Sequence, residues 1–174
     1  MVLAMEALSL SQRIGFFKGQ AASFNRIGTV YSALGNSSKA MAFYIKALKL
    51  NEKIDNPEGI ARNLGNIGNV YRDQGEYYQA IDYYLKALKS SEQRNSKEGV
   101  AVNLGNLGRS YLGLKQYDTA RVYVQQAYEV ASKFNYDSRT GNLLALMGSI
   151  YSETGQRKLA MEYYRLSIPY LKLT

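Results

Sequence analysis

Residues 63–90 read NLGNIGNVYRDQGEYYQAIDYYLKALKS, and this stretch decides the fold. Leu64, Ile67, Gly68 and Tyr71 fall at i, i+3, i+4 and i+7, which is one face of an α-helix. Ala80, Tyr84, Ala87 and Leu88 mark the face of a second helix. Between them lies DQGEYY, where Gly75 supplies the left-handed backbone that ends a helix. Just upstream, in NEKIDNPEG, proline disfavours helical backbone at Asn56, and Pro57 suits the first turn of the next helix. No segment carries the alternating pattern of a strand.

The same pair of helices recurs every 40 residues. Glycine stands at Gly28, Gly68, Gly108 and Gly148, and tyrosine three places later at Tyr31, Tyr71, Tyr111 and Tyr151. Alanine recurs at Ala40, Ala80, Ala120 and Ala160, followed by an aromatic at Phe43, Tyr83, Tyr123 and Tyr163. The next position reads Tyr44, Tyr84, Val124 and Tyr164, and Ala47, Ala87, Ala127 and Ser167 complete the set. Such a register implies a solenoid in which each unit buries its apolar face on the next. A glycine in mid-helix costs about 1 kcal/mol relative to alanine. Its recurrence therefore predicts a close helix crossing, with Tyr71 and Tyr84 filling the space around it.

Composition narrows the chemistry. The 174 residues hold no cysteine and no histidine, which removes disulfides, thiolate nucleophiles and the commonest metal ligand and general base. Zinc hydrolase, Ser–His–Asp and Cys–His mechanisms are thereby excluded, and neither a convergent acid–base pair nor a phosphate loop is visible. Gly65, Asn66, Ile67 and Gly68 are glycine-rich but lie inside a helix, so they form no phosphate cradle. The expectation is a non-enzyme without cofactor or metal. A balance of 22 basic against 14 acidic residues gives +8, which favours acidic partners, but the basic residues look dispersed along the chain. No apolar run is long enough for a membrane span, and the opening MVLAMEALSLSQR lacks the basic leader of a secretory signal, so a cytoplasmic setting is expected.

The spacings resemble the tetratricopeptide repeat, whose signature is W-x2-L-G-x2-Y followed by A-x3-F. The four copies present Phe24, Leu64, Leu104 and Leu144 at the tryptophan position, then Ile27-Gly28, Ile67-Gly68, Leu107-Gly108 and Met147-Gly148. The unit is longer than the usual one, and Glu52 and Glu92 stand where the closing proline is expected. This long variety is similar to the repeats of kinesin light chains, of LGN-type polarity adaptors and of the sensor halves of bacterial signalling proteins. HEAT and armadillo repeats share the period but not the Gly-x2-Tyr and Ala-x3-aromatic spacings. The resemblance implies an all-α fold, a right-handed α-solenoid of antiparallel helix pairs. The expected limits are residues 1–14 for a lone second helix, then repeats at 19–54, 58–94, 98–134 and 138–173. This reading leaves the first helix without its partner, and no polar capping helix after the second helix of repeat 4. It therefore takes the chain as a piece of a longer array, whose apolar ends drive end-to-end association.

In the resembling family the first helices line a concave groove. The positions expected there are Arg62, Asn66, Asn69, Arg72 and Asp73 in repeat 2, Asn25, Arg26 and Thr29 in repeat 1, Asn106 and Arg109 in repeat 3, and Asn142, Ser149 and Glu153 in repeat 4. Asparagine is a mediocre helix former, and its amide offers donors and an acceptor that match an extended peptide backbone. In the resembling families, asparagines in this NLGN-type segment hold a bound peptide. Two roles stay open for Asn66 and Asn106: gripping a ligand, or tying adjacent repeats together. The four arginines suit carboxylates or simply a solvated face. Lys46, Lys49, Lys86 and Lys89 fall on second helices, outside the groove, where they serve solubility or meet an acidic surface. Together these features predict a protein-interaction scaffold that holds a peptide, possessing an acidic character, in its groove. The alternative is a peptide-sensing array that controls an attached kinase or transcription domain. Nucleic-acid binding ranks below both, because scattered charge is a poor footprint for it.

Overall fold

A computed structural model describes residues 1–171, so residues 172 and 173 at the end of the fourth expected repeat lie outside the described residues. The fold is an all-α helical repeat. Among the described residues there are nine helices: α1 Val2–Arg13, α2 Phe17–Ala33, α3 Ser37–Lys53, α4 Pro57–Asp73, α5 Tyr77–Gln93, α6 Lys97–Gly113, α7 Tyr117–Lys133, α8 Asp137–Glu153 and α9 Arg157–Leu171. None of them is long and apolar enough to cross a membrane.

The turns carry a finer period than the 40-residue repeat. Positive φ angles occur at Gly15, Gly35, Asp55, Gly75, Asn95, Lys115, Asn135 and Gly155, one in each of the eight turns between helices and always 20 residues apart. Each turn closes in the same way. After α4, the Gly75 N–H donates to the Arg72 carbonyl and the Glu76 N–H to the Tyr71 carbonyl, both at 2.9 Å. This satisfies carbonyls that the helix end would otherwise leave unpaired. Glycine, asparagine and aspartate adopt this conformation cheaply, whereas Lys115 adopts it at φ 58° with a full side chain. Helix starts are set by Asn36, Asn56 and Ser96, whose side chains accept from the N–H of Lys39, Gly59 and Gly99. Pro57 opens α4, as its position after Asn56 predicts.

The chain divides into two compact units, Met1–Ser90 and a second beginning at Ser91. In the first unit α1 packs on α2, α2 on α3 and α3 on α4, while α2 also touches α4. Its centre is Ala40, Tyr44, Ile67 and Val70, flanked by half-buried Tyr31, Tyr71 and Tyr83. In the second unit α6 packs on α7, α7 on α8 and α8 on α9, and α6 also touches α8. Leu107, Val124, Met147 and Ile150 are buried there.

The mid-helix glycines explain the helix pairing. A Cβ placed on Gly68 would lie 2.7 Å from the Tyr84 ring, one on Gly28 2.7 Å from Tyr44, and one on Gly148 2.8 Å from Tyr164. On Gly108 it would meet Val124 at 2.5 Å. The side chain sixteen residues downstream thus lies on the bare backbone of the glycine. Beside each crossing runs a stacked pair, Tyr31–Phe43, Tyr71–Tyr83, Tyr111–Tyr123 and Tyr151–Tyr163, with centroids 5.2 to 5.6 Å apart. At the ends, Leu3 and Leu10 on α1 and Met161, Leu166 and Ile168 on α9 are exposed.

Candidate functional site

The site is built where α2 lies beside α4 in the first unit. Five asparagines form one hydrogen-bonded chain there. Asn56 caps α4 through its side-chain oxygen and donates its Nδ2 to Asn51 Oδ1 at 2.8 Å. Asn51 Nδ2 donates to Asn63 Oδ1 at 2.7 Å, and Asn63 Nδ2 donates to Asn25 Oδ1 at 2.9 Å. Asn66 Nδ2 donates to that same Asn25 oxygen at 2.8 Å. Asn51 and Asn63 are buried, at 4% and 1% exposure, so their amides are stable only because they satisfy each other. Gly59 makes room for this, since a Cβ on it would come within 2.3 Å of the Asn51 amide.

The chain surfaces at Asn25 and Asn66, both half-buried. Asn25 has committed its oxygen twice, and its Nδ2 has no partner among the described residues. Asn66 has committed one N–H, and its Oδ1 likewise has none. A donor and an acceptor are thus left side by side on the face shared by the two first helices. Next to them opens a cleft of about 80 Å³ lined by Lys18, Asn25, Asn56, Glu58, Arg62 and Asn63 among others. That volume admits a side-chain tip and falls well short of the roughly 300 Å³ or more of a metabolite pocket. Arg62 at its rim is hydrogen-bonded to Glu58 one turn away, with both side chains more than half exposed. Arg26 is exposed, and no carboxylate pairs with it among the described residues.

The other expected groove residues are occupied differently. Thr29, Asn69 and Ser149 each follow a crossing glycine, and each binds the phenol that packs on that glycine. Tyr44 Oη donates to Thr29 Oγ1 at 3.3 Å, Tyr84 Oη to Asn69 Oδ1 at 2.7 Å, and Tyr164 Oη to Ser149 Oγ at 3.2 Å. Arg72 is tied to its neighbours: Nη2 meets Asp73 Oδ1 at 2.8 Å and Nη1 meets Asn69 Oδ1 at 3.2 Å. Asn66, Asn69 and Arg72 are half-buried rather than turned fully to solvent, because the packed face of α4 is wider than the Leu64–Ile67–Tyr71 stripe and includes Gly59, Asn63 and Val70. Asn106 and Arg109 lie on α6 in the second unit. There the Asn106 backbone carbonyl accepts from Ser110 Oγ, and Val124 supplies no phenol for the position of Arg109. Asn142 is exposed beside a cleft lined by Glu98, Tyr136 and Arg139, and Glu153 is exposed at the end of α8. The structure therefore joins Asn25 to Asn66, with Arg62 beside the same cleft, and adds Asn51, Asn56 and Asn63, which sequence reasoning missed. The available signal was a polar residue, Asn63, one turn after Gly59 and one before Ile67 on an otherwise buried stripe.

The family profile for the tetratricopeptide repeat matches residues 59–133 and 99–172, and a second profile of the same repeat matches residues 21–54. A comparison with curated protein sequences finds no match. Among solved structures the chain is similar to BtubC (BKLC) from P. vanneervenii, with a TM-score of 0.83 and 20% identity over 97% of this chain and 70% of that one. It is similar to aspartyl phosphate phosphatase F from Bacillus subtilis, with a TM-score of 0.82 and 19% identity over 97% of this chain and 49% of that one. It is also similar to the Rap conjugation gene regulator of plasmid pLS20 in complex with the Phr* peptide, with a TM-score of 0.78 and 19% identity over 87% of this chain and 43% of that one. The chain thus spans about half the length of the last two proteins or less.

Proposed function

The chain belongs to the tetratricopeptide repeat family, and we propose that it is an interaction module that holds an extended segment of a partner protein across α2 and α4. One observation carries this reading: Asn25 Nδ2 and Asn66 Oδ1 are left as an adjacent donor and acceptor, both positioned by the buried asparagine chain behind them. A peptide unit presents the complementary carbonyl and N–H, and a chain gripped through its backbone can vary its side chains. The small cleft alongside takes one side-chain tip, and its lining by Lys18 and Arg62 against the single acid Glu58, which pairs with Arg62, favours an acidic residue there. The Phr* peptide bound by the Rap regulator of similar fold supports a peptide ligand, while the phosphatase name borne by another neighbour belongs to that protein.

The test is a peptide library panned on the intact chain, with affinities of the selected peptides measured by calorimetry. Asn25→Ala together with Asn66→Ala is expected to weaken them at least about tenfold, in line with the loss of two hydrogen bonds, while circular dichroism stays unchanged. Equal affinity of the double variant would remove these amides from the site.

A further inference from the structure

The net charge is concentrated on one helix pair. Residues 17–53, spanning α2 and α3, carry Lys18, Arg26, Lys39, Lys46, Lys49 and Lys53 against the single acid Glu52, giving +5 of the chain's +8. The basic residues, expected to be dispersed along the chain, are therefore gathered in one segment that folds as a helix pair. On α3, Lys39, Lys46 and Lys53 are exposed and stand seven residues apart, so they line one stripe at intervals of about 10.5 Å. Each ammonium rests over a ring of the hairpin. Lys39 lies 5.1 Å from the centroid of Tyr31, Lys46 5.2 Å from Phe43 and 5.9 Å from Phe24, and Lys53 5.0 Å from Phe17. Phe17, Phe24 and Tyr31 are themselves seven apart on α2, in antiparallel register with the lysines. Among the described residues no carboxylate pairs with these three lysines or with Lys49, whereas Arg62, Arg72 and Lys86 elsewhere in the unit each have one.

We infer that the lysine stripe of α3 is a second docking surface, separate from the asparagine cleft, for an acidic α-helix of a partner protein. A helix lying alongside α3 with Asp or Glu at every seventh position would meet all three ammonium groups, because the rise per residue is the same on both sides. The rings hold the lysines in place and leave their outer N–H groups to solvent, so little side-chain freedom is lost on binding. Exposed Ala42 falls within the stripe and allows close approach, and Ile45 at its flank offers an apolar contact. A nucleic-acid strand presents a phosphate about every 3.4 Å of axis and favours dense, arginine-rich clusters, yet α3 has no arginine. A bilayer-binding helix needs a broad exposed apolar face, and Ile45 is the only large apolar side chain of α3 that is exposed. A second copy of this chain is a poor occupant, since no described helix holds more than two acidic residues.

The experiment measures fluorescence anisotropy of a synthetic Ala/Gln helix with Glu at every seventh position, against a scrambled isomer of equal charge, on the intact chain. The heptad peptide is expected to bind about tenfold tighter than its scramble, as three aligned surface pairs allow. Lys39→Gln with Lys46→Gln and Lys53→Gln should erase that difference. Ala42→Glu, which touches no ring and repels an acidic helix, should do the same if the triple variant unfolds. Asn25→Ala with Asn66→Ala should leave this affinity unchanged, so the outcome is independent of the cleft. The inference is overturned if the scramble binds equally, if oligothymidine or phosphatidylserine vesicles bind more tightly than the heptad peptide, or if the cleft variant abolishes binding.

Discussion

Replacing Gly68 by alanine tests the helix crossing on which the whole repeat rests. Helix propensity alone favours the substitution by about 1 kcal/mol, because glycine in a helix interior is that much worse than alanine. The geometry opposes it. The new Cβ would lie 2.7 Å and 2.9 Å from two carbons of the Tyr84 ring, about 1 Å inside normal contact. Tyr84 has no exposed surface, and its hydroxyl is fixed on Asn69 at 2.7 Å, so the ring cannot swing aside without breaking that bond. Overpacking of a fixed core side chain costs about 1–3 kcal/mol, and here the upper part of that range applies. The net expectation is destabilisation of about 1–2 kcal/mol, or a fall in Tm of about 2–8 °C for a chain of this size. Tyr84→Ala removes the obstacle. In that background Gly68→Ala should reverse sign and stabilise by about 1 kcal/mol as propensity takes over. Urea titrations of the four proteins, followed by helical ellipticity, give the coupling directly. If Gly68→Ala is neutral or stabilising with Tyr84 in place, the glycine is not there for the ring and the account of the crossing fails.

Three further expectations follow from other parts of the fold. Lys115 holds φ 58° where four of the other turns use glycine, so Lys115→Gly should stabilise the chain by about 1 kcal/mol; a lower Tm would contradict the strain assigned to that turn. Asn63→Leu alone leaves the buried Asn51 amide without its acceptor and should cost about 1–3 kcal/mol in chemical denaturation. Adding Asn51→Ala recreates the Ala131 and Leu143 pair found 80 residues later and should recover most of that loss, whereas additive costs would argue against a shared hydrogen bond. Burial, reinforced by Tyr123, raises the Tyr111 phenol above its ordinary 10.0. The unfolded chain then ionises first, so stability is full below pH 10.0 and is lost as pH climbs through the folded-state value. Tyr111→Phe should make the alkaline fall in Tm shallower, and an unchanged slope would exclude this phenol as a contributor.

The repeat was legible because its causes are local. A glycine and a bulky side chain sixteen residues later mark a crossing wherever they recur, and Gly68 with Tyr84 shows the pair plainly. The 20-residue spacing of the turns was harder to see, because Asp55, Asn95, Lys115 and Asn135 stand in place of glycine at four of the eight positions that need the same backbone. Asn66 was visible as an odd residue for a helix, but its partner was not. Asn25 is 41 positions away, a distance in sequence that becomes contact only once α2 lies on α4. The three lysines over the rings of α2 were hidden for the same reason, since their spacing acquires meaning only in antiparallel register.

The junctions between successive repeats differ in a way that locates the cleft. At two of them a residue near the end of a second helix meets two positions of the following first helix, Asn51 with Gly59 and Asn63 and Ser91 with Gly99 and Asn103, while the same register positions hold Ser11, Gly19 and Ser23 at the first junction and Ala131, Arg139 and Leu143 at the last. In the Ser91 junction the Asn103 Nδ2 bonds Ser91 Oγ at 3.2 Å but turns its shorter bond, 2.8 Å, to the Gly99 carbonyl of its own helix. In the last junction the pair is apolar and has no bond to make. Only between repeats 1 and 2 do two amides face each other, and an amide that both donates and accepts passes the chain of bonds onward instead of ending it. Packing alone would be served as well by Ala131 and Leu143, so the buried amides are not explained by stability. What they do achieve is to fix the orientation of Asn63, which fixes Asn25, which in turn accepts from Asn66 and leaves one donor and one acceptor at the surface. A preorganised pair of this kind needs little reorientation to meet a peptide unit, and that is the physical reason the proposed peptide site is assigned to this junction and not to the other three.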